Sequence, residues 1–215
     1  RGVDNIPKSG GFILACSHPT GIADAIAVFD ILKDVRRDLA LFANRDALRV
    51  SARLGDILIP VEWRATEKSH SKSRATLEHT ARAFNGGKAI VLFPSGRIAF
   101  WDKDHLAERP WQTTLVALAR RYGVPIVPVN VQSRNSPFFY LASRKSTELR
   151  DMTVFHELLN KKGKPFALTV GRPIAPEQLE GDLAELTRLL QDHTVLALRE
   201  NPLAEFSAAA VKAAA

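Results

Sequence analysis

Cysteine and methionine are nearly absent from this chain of 215 residues, which contains only Cys16 and Met152. A single cysteine excludes an internal disulfide framework and any zinc site built on cysteines. Long hydrophobic runs are missing too, because stretches such as Phe12–Ala15 and Ala89–Phe93 fall far short of the ~20 residues that a membrane-spanning helix needs. No secretory signal peptide is recognisable, and no repeat of about 20–50 residues indicates a solenoid or a propeller.

The charge of the chain suits anionic partners. Thirty Lys and Arg residues against 23 Asp and Glu residues give a net charge of +7. Phospholipid headgroups, nucleotide-bearing cofactors and nucleic acid all fit such a surface. No zinc knuckle and no aromatic RNA-binding strand signature is present, so we expect no nucleic-acid partner. The basic runs Lys33–Arg37 and Lys161–Lys162 are typical of solvated faces, and with a lipid substrate they would form a rim facing anionic headgroups.

Short apolar runs alternate with amphipathic stretches, which predicts an α/β fold: a single-domain sandwich of helices around a largely parallel central sheet. The domain is expected over residues 1–206, followed by an alanine-rich tail over 207–215. The predicted strands are Phe12–Cys16, Leu39–Ala43, Ile57–Val61, Lys88–Phe93, Pro125–Val131 and Pro165–Val170. The predicted helices are Asp24–Asp38, Arg45–Leu54, Ser71–Phe84, Thr113–Tyr122 and Leu183–Leu198.

The first candidate site lies between the first strand and the first helix, in the segment Cys16-Ser17-His18-Pro19-Thr20-Gly21-Ile22-Ala23-Asp24. Six helical positions rotate the chain by about 600°, so His18 and Asp24 would face apart if both lay in the helix. His18 is therefore expected on the loop, where the Pro-Thr-Gly turn folds it back toward Asp24. The carboxylate would then hold the imidazole in one tautomer while the other ring nitrogen faces a substrate. The alternative is a core or capping histidine beside an unrelated helix-capping aspartate.

A second candidate site follows the strand at Lys88–Phe93, which leads directly into Pro94-Ser95-Gly96-Arg97. Such a turn exposes backbone N–H groups and a guanidinium at the carboxyl edge of the sheet, where open α/β folds bind their ligands. This combination suits an anionic headgroup. The alternative is an ordinary loop with a solvated arginine.

Together the two segments resemble the glycerophospholipid (lysophosphatidate-type) acyltransferases, which carry a histidine–aspartate block and later a Phe-Pro-Glu-Gly-Thr-Arg block. Ile59–Arg64 falls where the family has a strand followed by a headgroup-binding arginine, and Val124–Val129 resembles the family's proline-bearing apolar block. The sequence also departs from the family. Five residues, rather than the usual four, separate His18 from Asp24, and Ser95 replaces the glutamate that contacts a glycerol-phosphate acceptor. These departures resemble a bacterial branch described as hemolysin-like or ornithine-lipid-type.

The resemblance implies a membrane-associated enzyme of phospholipid biosynthesis. It would move a fatty acyl group from acyl-CoA or acyl-carrier protein to a lysophospholipid-like or aminolipid acceptor, with no other cofactor. His18 is expected to act as general base and Asp24 to orient it. Arg97, Arg64, Pro94, Ser95, Gly96 and Gly21 are the expected substrate-binding residues, with loop N–H groups near Gly21 or Gly96 stabilising the oxyanion. The expected location is the cytoplasmic face of the inner membrane, held by peripheral contact with anionic lipids.

Two other function classes remain open from the residues. Ser95 follows a strand and precedes a glycine, as in a serine hydrolase, although Phe93-Pro94-Ser95-Gly96 lacks the first glycine of the G-x-S-x-G elbow. A non-enzymatic lipid-binding module would also use the positive charge. Cys16 is expected to be a small buried strand residue. Phe138–Tyr140 is interpreted either as core or as a contact for an acyl chain or a bilayer.

Overall fold

The computed structural model describes residues 1–49, 52–62 and 69–207. The strands of this part of the chain are β1 (Phe12–Cys16), β2 (Leu39–Asn44), β3 (Leu58–Val61), β4 (Ala89–Leu92), β5 (Phe100–Asp102), β6 (His105–Ala107), β7 (Ile126–Gln132) and β8 (Ala167–Val170). The helices are α1 (Ile22–Leu32), α2 (His70–Asn85), α3 (Thr114–Tyr122), α4 (Pro137–Lys145), α5 (Thr147–Leu159) and α6 (Leu183–Asp192). A π turn, His193–Ala197, continues α6 into a last helical turn, Leu198–Glu200.

Six strands form one sheet in the order β3-β2-β4-β1-β7-β8. All neighbouring pairs are parallel except β7 and β8, which are antiparallel. Strands β5 and β6 form a separate antiparallel hairpin. The largely parallel α/β sheet predicted from the sequence is confirmed.

Strand β1 lies at the centre of the sheet and determines where the loops meet. All five of its residues are fully buried, as expected for a parallel strand covered on both faces. Helix α1 packs on one face of the sheet, while α2, α3 and α6 pack on the other. Ala15 of β1 pairs with Leu92 of β4 and Pro128 of β7, so β1 and β4 end at nearly the same level, while β7 continues to Gln132. The chain after β1 leads to α1 on one face of the sheet and the chain after β4 leads to α3 on the other, and this carboxyl edge is the usual ligand position in open α/β sheets.

The predicted helix Arg45–Leu54 is wrong. The described part of this segment forms two short 3-10 helices, Arg45–Arg49 and Ala52–Asp56. The side chain of Asn44 accepts a hydrogen bond from the N–H of Asp46 at 2.9 Å, a local turn that competes with an α-helical start.

The first helix is shorter than predicted and ends at Leu32 instead of Asp38. The chain turns there and buries Arg36, which is only 6% exposed, so this member of the basic run Lys33–Arg37 is not solvated. Its guanidinium donates to the carboxylate of Asp38 and to the carbonyl oxygens of Gly10 and Gly87. The pKa of Asp38 is lowered by these guanidinium hydrogen bonds. The arginine thereby joins the start of β1, the start of β2 and the turn before β4.

Helices α4 and α5 and the hairpin β5–β6 were not predicted from the sequence. Ser136 and Ser146 cap α4 and α5, since their side chains accept from the N–H groups of Phe139 and Leu149. The two helices pack on each other, and α5 also contacts α1. They therefore cover the same face of the sheet as α1, beside the loop that carries His18.

Candidate active site

His18 and Asp24 are in contact, as the sequence predicts. Nδ1 of His18 lies 3.0 Å from Oδ2 of Asp24. The oxygen lies off the direction of the Nδ1–H bond, so this is a close charge contact and not an aligned hydrogen bond. Asp24 is completely buried, whereas 17% of the His18 side chain is exposed. Because the contact uses Nδ1, the other ring nitrogen is left for a substrate.

The loop itself fixes the carboxylate of Asp24. Oδ2 accepts the backbone N–H groups of Thr20 and Gly21, both at 2.8 Å, and Oδ1 accepts the Thr20 hydroxyl. Asp24 also lies in the first turn of α1, where the helix dipole favours a negative charge. The Thr-Gly turn therefore positions Asp24 independently of the imidazole, and this position in turn restricts His18.

The loop after β4 packs against the His18 loop. The ring of His18 lies on that of Phe93, with centroids 4.3 Å apart, and the carbonyl of His18 accepts from the N–H of Ala99 at 2.9 Å. Gly21 has a φ of 91°, and a Cβ at this position would come within 2.7 Å of the Ile98 side chain. A glycine is required there because both the backbone conformation and the close approach exclude a side chain.

The Ser95-Gly96-Arg97 turn leaves the arginine exposed next to this contact. The N–H of Gly96 donates to the Phe93 carbonyl at 3.0 Å, and the Ser95 hydroxyl donates to the Arg97 carbonyl at 2.9 Å. Arg97 is exposed to solvent one residue before Ile98, so its backbone lies beside the His18 loop. The Ser95 hydroxyl is directed to a backbone carbonyl, and among the residues that the structure describes it has no hydrogen bond to an imidazole, the base that a serine hydrolase requires.

The two N–H groups expected to bind an oxyanion both have partners in the structure. The N–H of Gly21 donates to Asp24 and that of Gly96 to Phe93, so neither is free to bind an oxyanion in this conformation. The roles of Pro94, Ser95 and Arg97 in binding stay predictions. Arg64 lies outside the described residues.

Glu108 is a partly buried group beside the site that the sequence analysis missed. Its Oε1 accepts the backbone N–H of His18, and its Oε2 accepts Nε1–H of Trp111 at 2.7 Å. Burial raises the pKa of the Glu108 carboxyl, against the opposing effect of these hydrogen bonds and of His18. Glu108 follows the unpredicted hairpin β5–β6, and no sequence signal connects it with His18, which is 90 residues away.

A polar network ties the His18 loop to helix α5. Nδ2 of Asn135 donates to the Thr20 carbonyl at 3.3 Å, and its Oδ1 accepts from Nζ of Lys161 at 3.0 Å. Lys161 pairs with the fully buried Glu157, which also accepts from the backbone and side chain of Ser136. Burial alone would raise the pKa of Glu157, but the hydrogen bonds from Ser136 and Lys161 outweigh it, and the pKa is lowered.

Other reactive side chains are poorly placed for catalysis. Cys16 is buried, as predicted, and burial raises the pKa of its thiol well above the usual value, which disfavours a nucleophilic thiolate. His193 is also buried, and burial lowers its pKa. Among residues 1–49, 52–62 and 69–207, no three His, Cys, Asp or Glu side chains are grouped so as to hold a metal ion. None of the helices in these same ranges has the length and apolar character needed to cross a bilayer.

Two curated proteins that share one name are similar to this chain. The chain is 26% identical over 180 residues to a lyso-glycine lipid O-acyltransferase of Phocaeicola vulgatus, and 22% identical over 180 residues to the protein of that name from Bacteroides thetaiotaomicron. Both alignments cover 81% of this chain, but only 63% and 64% of the two relatives, so the chain spans slightly less than two thirds of their length.

The fold has a solved counterpart in the 1-acyl-sn-glycerophosphate acyltransferase PlsC of Thermotoga maritima. The TM-score is 0.58 at 16% sequence identity, over 93% of this chain and 70% of that one. A family model described as Acyltransferase matches residues 1–132, which include the His18 loop, Asp24 and the turn at Arg97. As the resemblance to the glycerophospholipid acyltransferases predicted, the chain belongs to the acyltransferase family.

Proposed function

We propose that this protein transfers a fatty acyl group from an acyl thioester to a lysolipid-type acceptor, with His18 as general base. The observation that carries the proposal is the 3.0 Å contact between His18 Nδ1 and the buried carboxylate of Asp24, next to the turn that carries Arg97. A base whose orientation is fixed on one side by a carboxylate is suited to take a proton on the other.

The reaction proceeds by direct attack. The free nitrogen of His18 accepts the proton of the acceptor hydroxyl or amine as its oxygen or nitrogen bonds to the thioester carbonyl carbon. The tetrahedral intermediate collapses and the carbon–sulfur bond breaks. The imidazolium then gives its proton to the departing sulfur, which leaves as a thiol and restores the neutral base. No covalent acyl-enzyme is needed, in agreement with the buried Cys16 and with the Ser95 hydroxyl turned to a backbone carbonyl.

Two carboxylates assist the base. Asp24 orients the ring and stabilises the imidazolium formed during attack. Glu108 holds the backbone of His18 from the other side, because its side chain accepts the His18 N–H. Arg97, which is exposed on the turn that packs beside the His18 loop, would bind a phosphate or carboxylate of the acceptor or donor, and we propose the same for Arg64.

The names of the relatives support the choice of acceptor that we propose. The two curated relatives are named lyso-glycine lipid O-acyltransferases, which supports a hydroxyl on a lysolipid as the group acylated here. The replacement of the family's glutamate by Ser95 is in keeping with an acceptor other than lysophosphatidate. Acyl-CoA or acyl-carrier protein would supply the acyl group.

Helices α4 and α5 present an apolar surface that we propose contacts the membrane. Spacings of three and four residues place Met152, Phe155 and Leu159 on one side of α5, and Met152 and Leu159 are 78% and 75% exposed. We call this surface the α4–α5 apolar face, consisting of Phe138, Leu141, Leu149, Met152, Phe155 and Leu159.

Basic residues border the α4–α5 apolar face. Arg144 and Lys145 end α4, and Lys162 and Lys164 follow α5. Apolar side chains with a basic rim suit the surface of an anionic bilayer. Such contact would hold the enzyme at the cytoplasmic face of the inner membrane, where a lysolipid acceptor is available.

The proposed reaction is tested by supplying the purified chain with a mixture of lysolipids and either an acyl-CoA or an acyl-carrier protein. Mass spectrometry should show a new acylated lipid, together with release of free thiol in equal amount. Thiol release accompanied only by free fatty acid would indicate a thioesterase instead. No thiol release with any acceptor, together with tight binding to liposomes, would favour the lipid-binding module.

A further inference from the structure

A cavity of about 450 Å³ opens at the carboxyl ends of β1 and β7, on the side of the His18 loop away from β4. Ser17 and Pro19, the two neighbours of His18, line it, as do Asn130 of β7 and Trp101 of the hairpin. Its volume lies within the ~300–1,000 Å³ typical of small-molecule sites. The cavity adjoins the catalytic loop through the residues on either side of His18, but His18, Asp24 and Arg97 do not themselves line it.

Asn130 leaves an unsatisfied acceptor at this cavity. The residue is 97% buried, and its Nδ2 donates to the carbonyl of Val195 at 3.3 Å. This bond determines the orientation of the amide, because a flipped amide would bring two oxygens together. Oδ1 has no hydrogen-bond donor among the described residues. A buried amide oxygen without a partner is costly, so the site calls for a ligand N–H or O–H.

Two arginines at the same cavity are available to an anion. Arg134 follows β7 and Arg199 lies in the last helical turn, and both line the cavity with exposed side chains. Neither forms an ion pair with any acidic residue that the structure describes. The acidic groups that also line the cavity have partners already, since Asp104 pairs with His105 and Glu108 accepts from Trp111 and His18.

We propose that this cavity binds a secondary amide with an anionic group beside it, with the amide N–H donating to Asn130 Oδ1 and the anion meeting Arg134 and Arg199. The assignment depends on the proposed function at one point. Ser17 and Pro19 line the cavity and flank His18 in the sequence, so a ligand bound there would lie near the proposed base. Two kinds of acyltransfer substrate have this chemistry. An N-acylated amino acid joins an amide to a carboxylate, and a 4′-phosphopantetheine arm joins amides to a phosphate.

Direct binding to the full chain tests the site without turnover. Isothermal titration calorimetry would measure the binding of N-decanoylglycine and of 4′-phosphopantetheine. The comparison ligands are the methyl ester of N-decanoylglycine and pantetheine, which lack the anion, and decanoic acid, which lacks the amide. The site should bind one of the two anionic amides, and the one that binds identifies the source. Loss of the anion should weaken binding about tenfold, as should Arg134→Gln or Arg199→Gln. In the double variant Arg134→Gln/Arg199→Gln, the anionic ligand and its uncharged analogue should bind with about the same affinity.

Arg121→Gln is the matched control, since Arg121 is an exposed arginine at the end of α3, near the opposite, amino edge of β7. It should bind like the unaltered chain. The proposal is overturned when neither anionic amide binds, or when both arginine variants bind as tightly as Arg121→Gln. If decanoic acid binds as tightly as N-decanoylglycine, the role assigned to Asn130 is overturned. Because no transfer is measured, loss of binding here and loss of acyl transfer are separate results.

Discussion

Asp24 is held by more groups than a simple partner of His18 would need. Two backbone N–H groups and one hydroxyl bind its carboxylate before the imidazole is considered. The side chain thus has two functions, since it closes the turn that begins α1 and it sets the position of the base. A change at Asp24 should affect both, and the two effects can be measured separately.

Asp24→Asn should lower kcat by about 10²–10⁴-fold while KM changes little. The amide has the shape of the carboxylate but lacks its charge. Its NH₂ group would also face one of the donors of Thr20 or Gly21 that now bind a carboxylate oxygen. We expect the free energy of unfolding to fall by about 1–2 kcal/mol as well, as for the loss of a helix N-cap. Steady-state kinetics and urea unfolding check the two effects.

Asp30→Asn is the control for this variant, because Asp30 lies on the same helix, is 68% exposed and, within the described part of the chain, forms an ion pair with Lys33 alone. It should change kcat and unfolding very little. An Asp24→Asn protein with normal kcat would show that the contact with His18 is structural.

At the level of secondary structure, the link between α5 and the His18 loop depends on buried charge. Glu157 is fully buried, and Lys161, its partner, also donates to Asn135, which holds the Thr20 carbonyl. Since the pKa of Glu157 is lowered in the folded state, its ionised form stabilises the fold. This contribution is complete above the unfolded pKa, about 4.3, and is lost as the pH falls through the lower folded value.

Glu157→Gln should therefore lower the free energy of unfolding by about 1–3 kcal/mol at neutral pH. The difference from the unaltered protein should shrink as the pH is lowered below the unfolded pKa. Urea unfolding at a series of pH values measures it, with Glu148→Gln, an exposed acidic residue in the first turn of α5, as the control. A difference that is constant over the whole pH series would contradict the role of the ionised carboxylate.

Prediction from sequence worked best where the physical signal is local. The continuous apolar run Phe12–Cys16 is a local signal, and it predicted the central strand, which is fully buried. The turn residues Pro19–Gly21 are a second local signal, and they predicted the contact between His18 and Asp24. The helix expected at Arg45–Leu54 failed because a side-chain turn at Asn44 competes with it. Glu108 could not be found, because its importance arises from a tertiary hydrogen bond to His18. The burial of Arg36 depends in the same way on carbonyl groups from distant segments.

For the whole molecule, the two faces of the sheet differ in a way that suits a lipid substrate. The α4–α5 apolar face lies on the side of α1, next to the network that holds the His18 loop. Helix α2, on the opposite side, carries a single large exposed apolar residue, Leu77. Contact with a bilayer through α4 and α5 would place the His18 loop near the membrane surface, where acceptor lipids are available.

Met152→Glu and Phe155→Glu should each weaken sedimentation with anionic liposomes by about tenfold or more, since each change removes an apolar side chain from the bilayer and adds a repelled charge. Leu77→Glu introduces the same charge at a 65% exposed site on the other side of the sheet. It should leave liposome binding close to that of the unaltered protein. Equal losses in all three variants would mean that net charge, and not the α4–α5 apolar face, determines membrane binding.

The most direct measurement for the account as a whole compares the single-turnover rate of acyl transfer in His18→Ala and Ser95→Ala with that of the unaltered chain. Circular dichroism verifies the fold, and His70→Ala, an exposed histidine at the start of α2, is the control. His18→Ala should be slower by about 10²–10⁴-fold, and Ser95→Ala should stay within about tenfold of the unaltered rate. A folded His18→Ala protein with full activity, or a Ser95→Ala protein with none, would contradict acyl transfer by a histidine base.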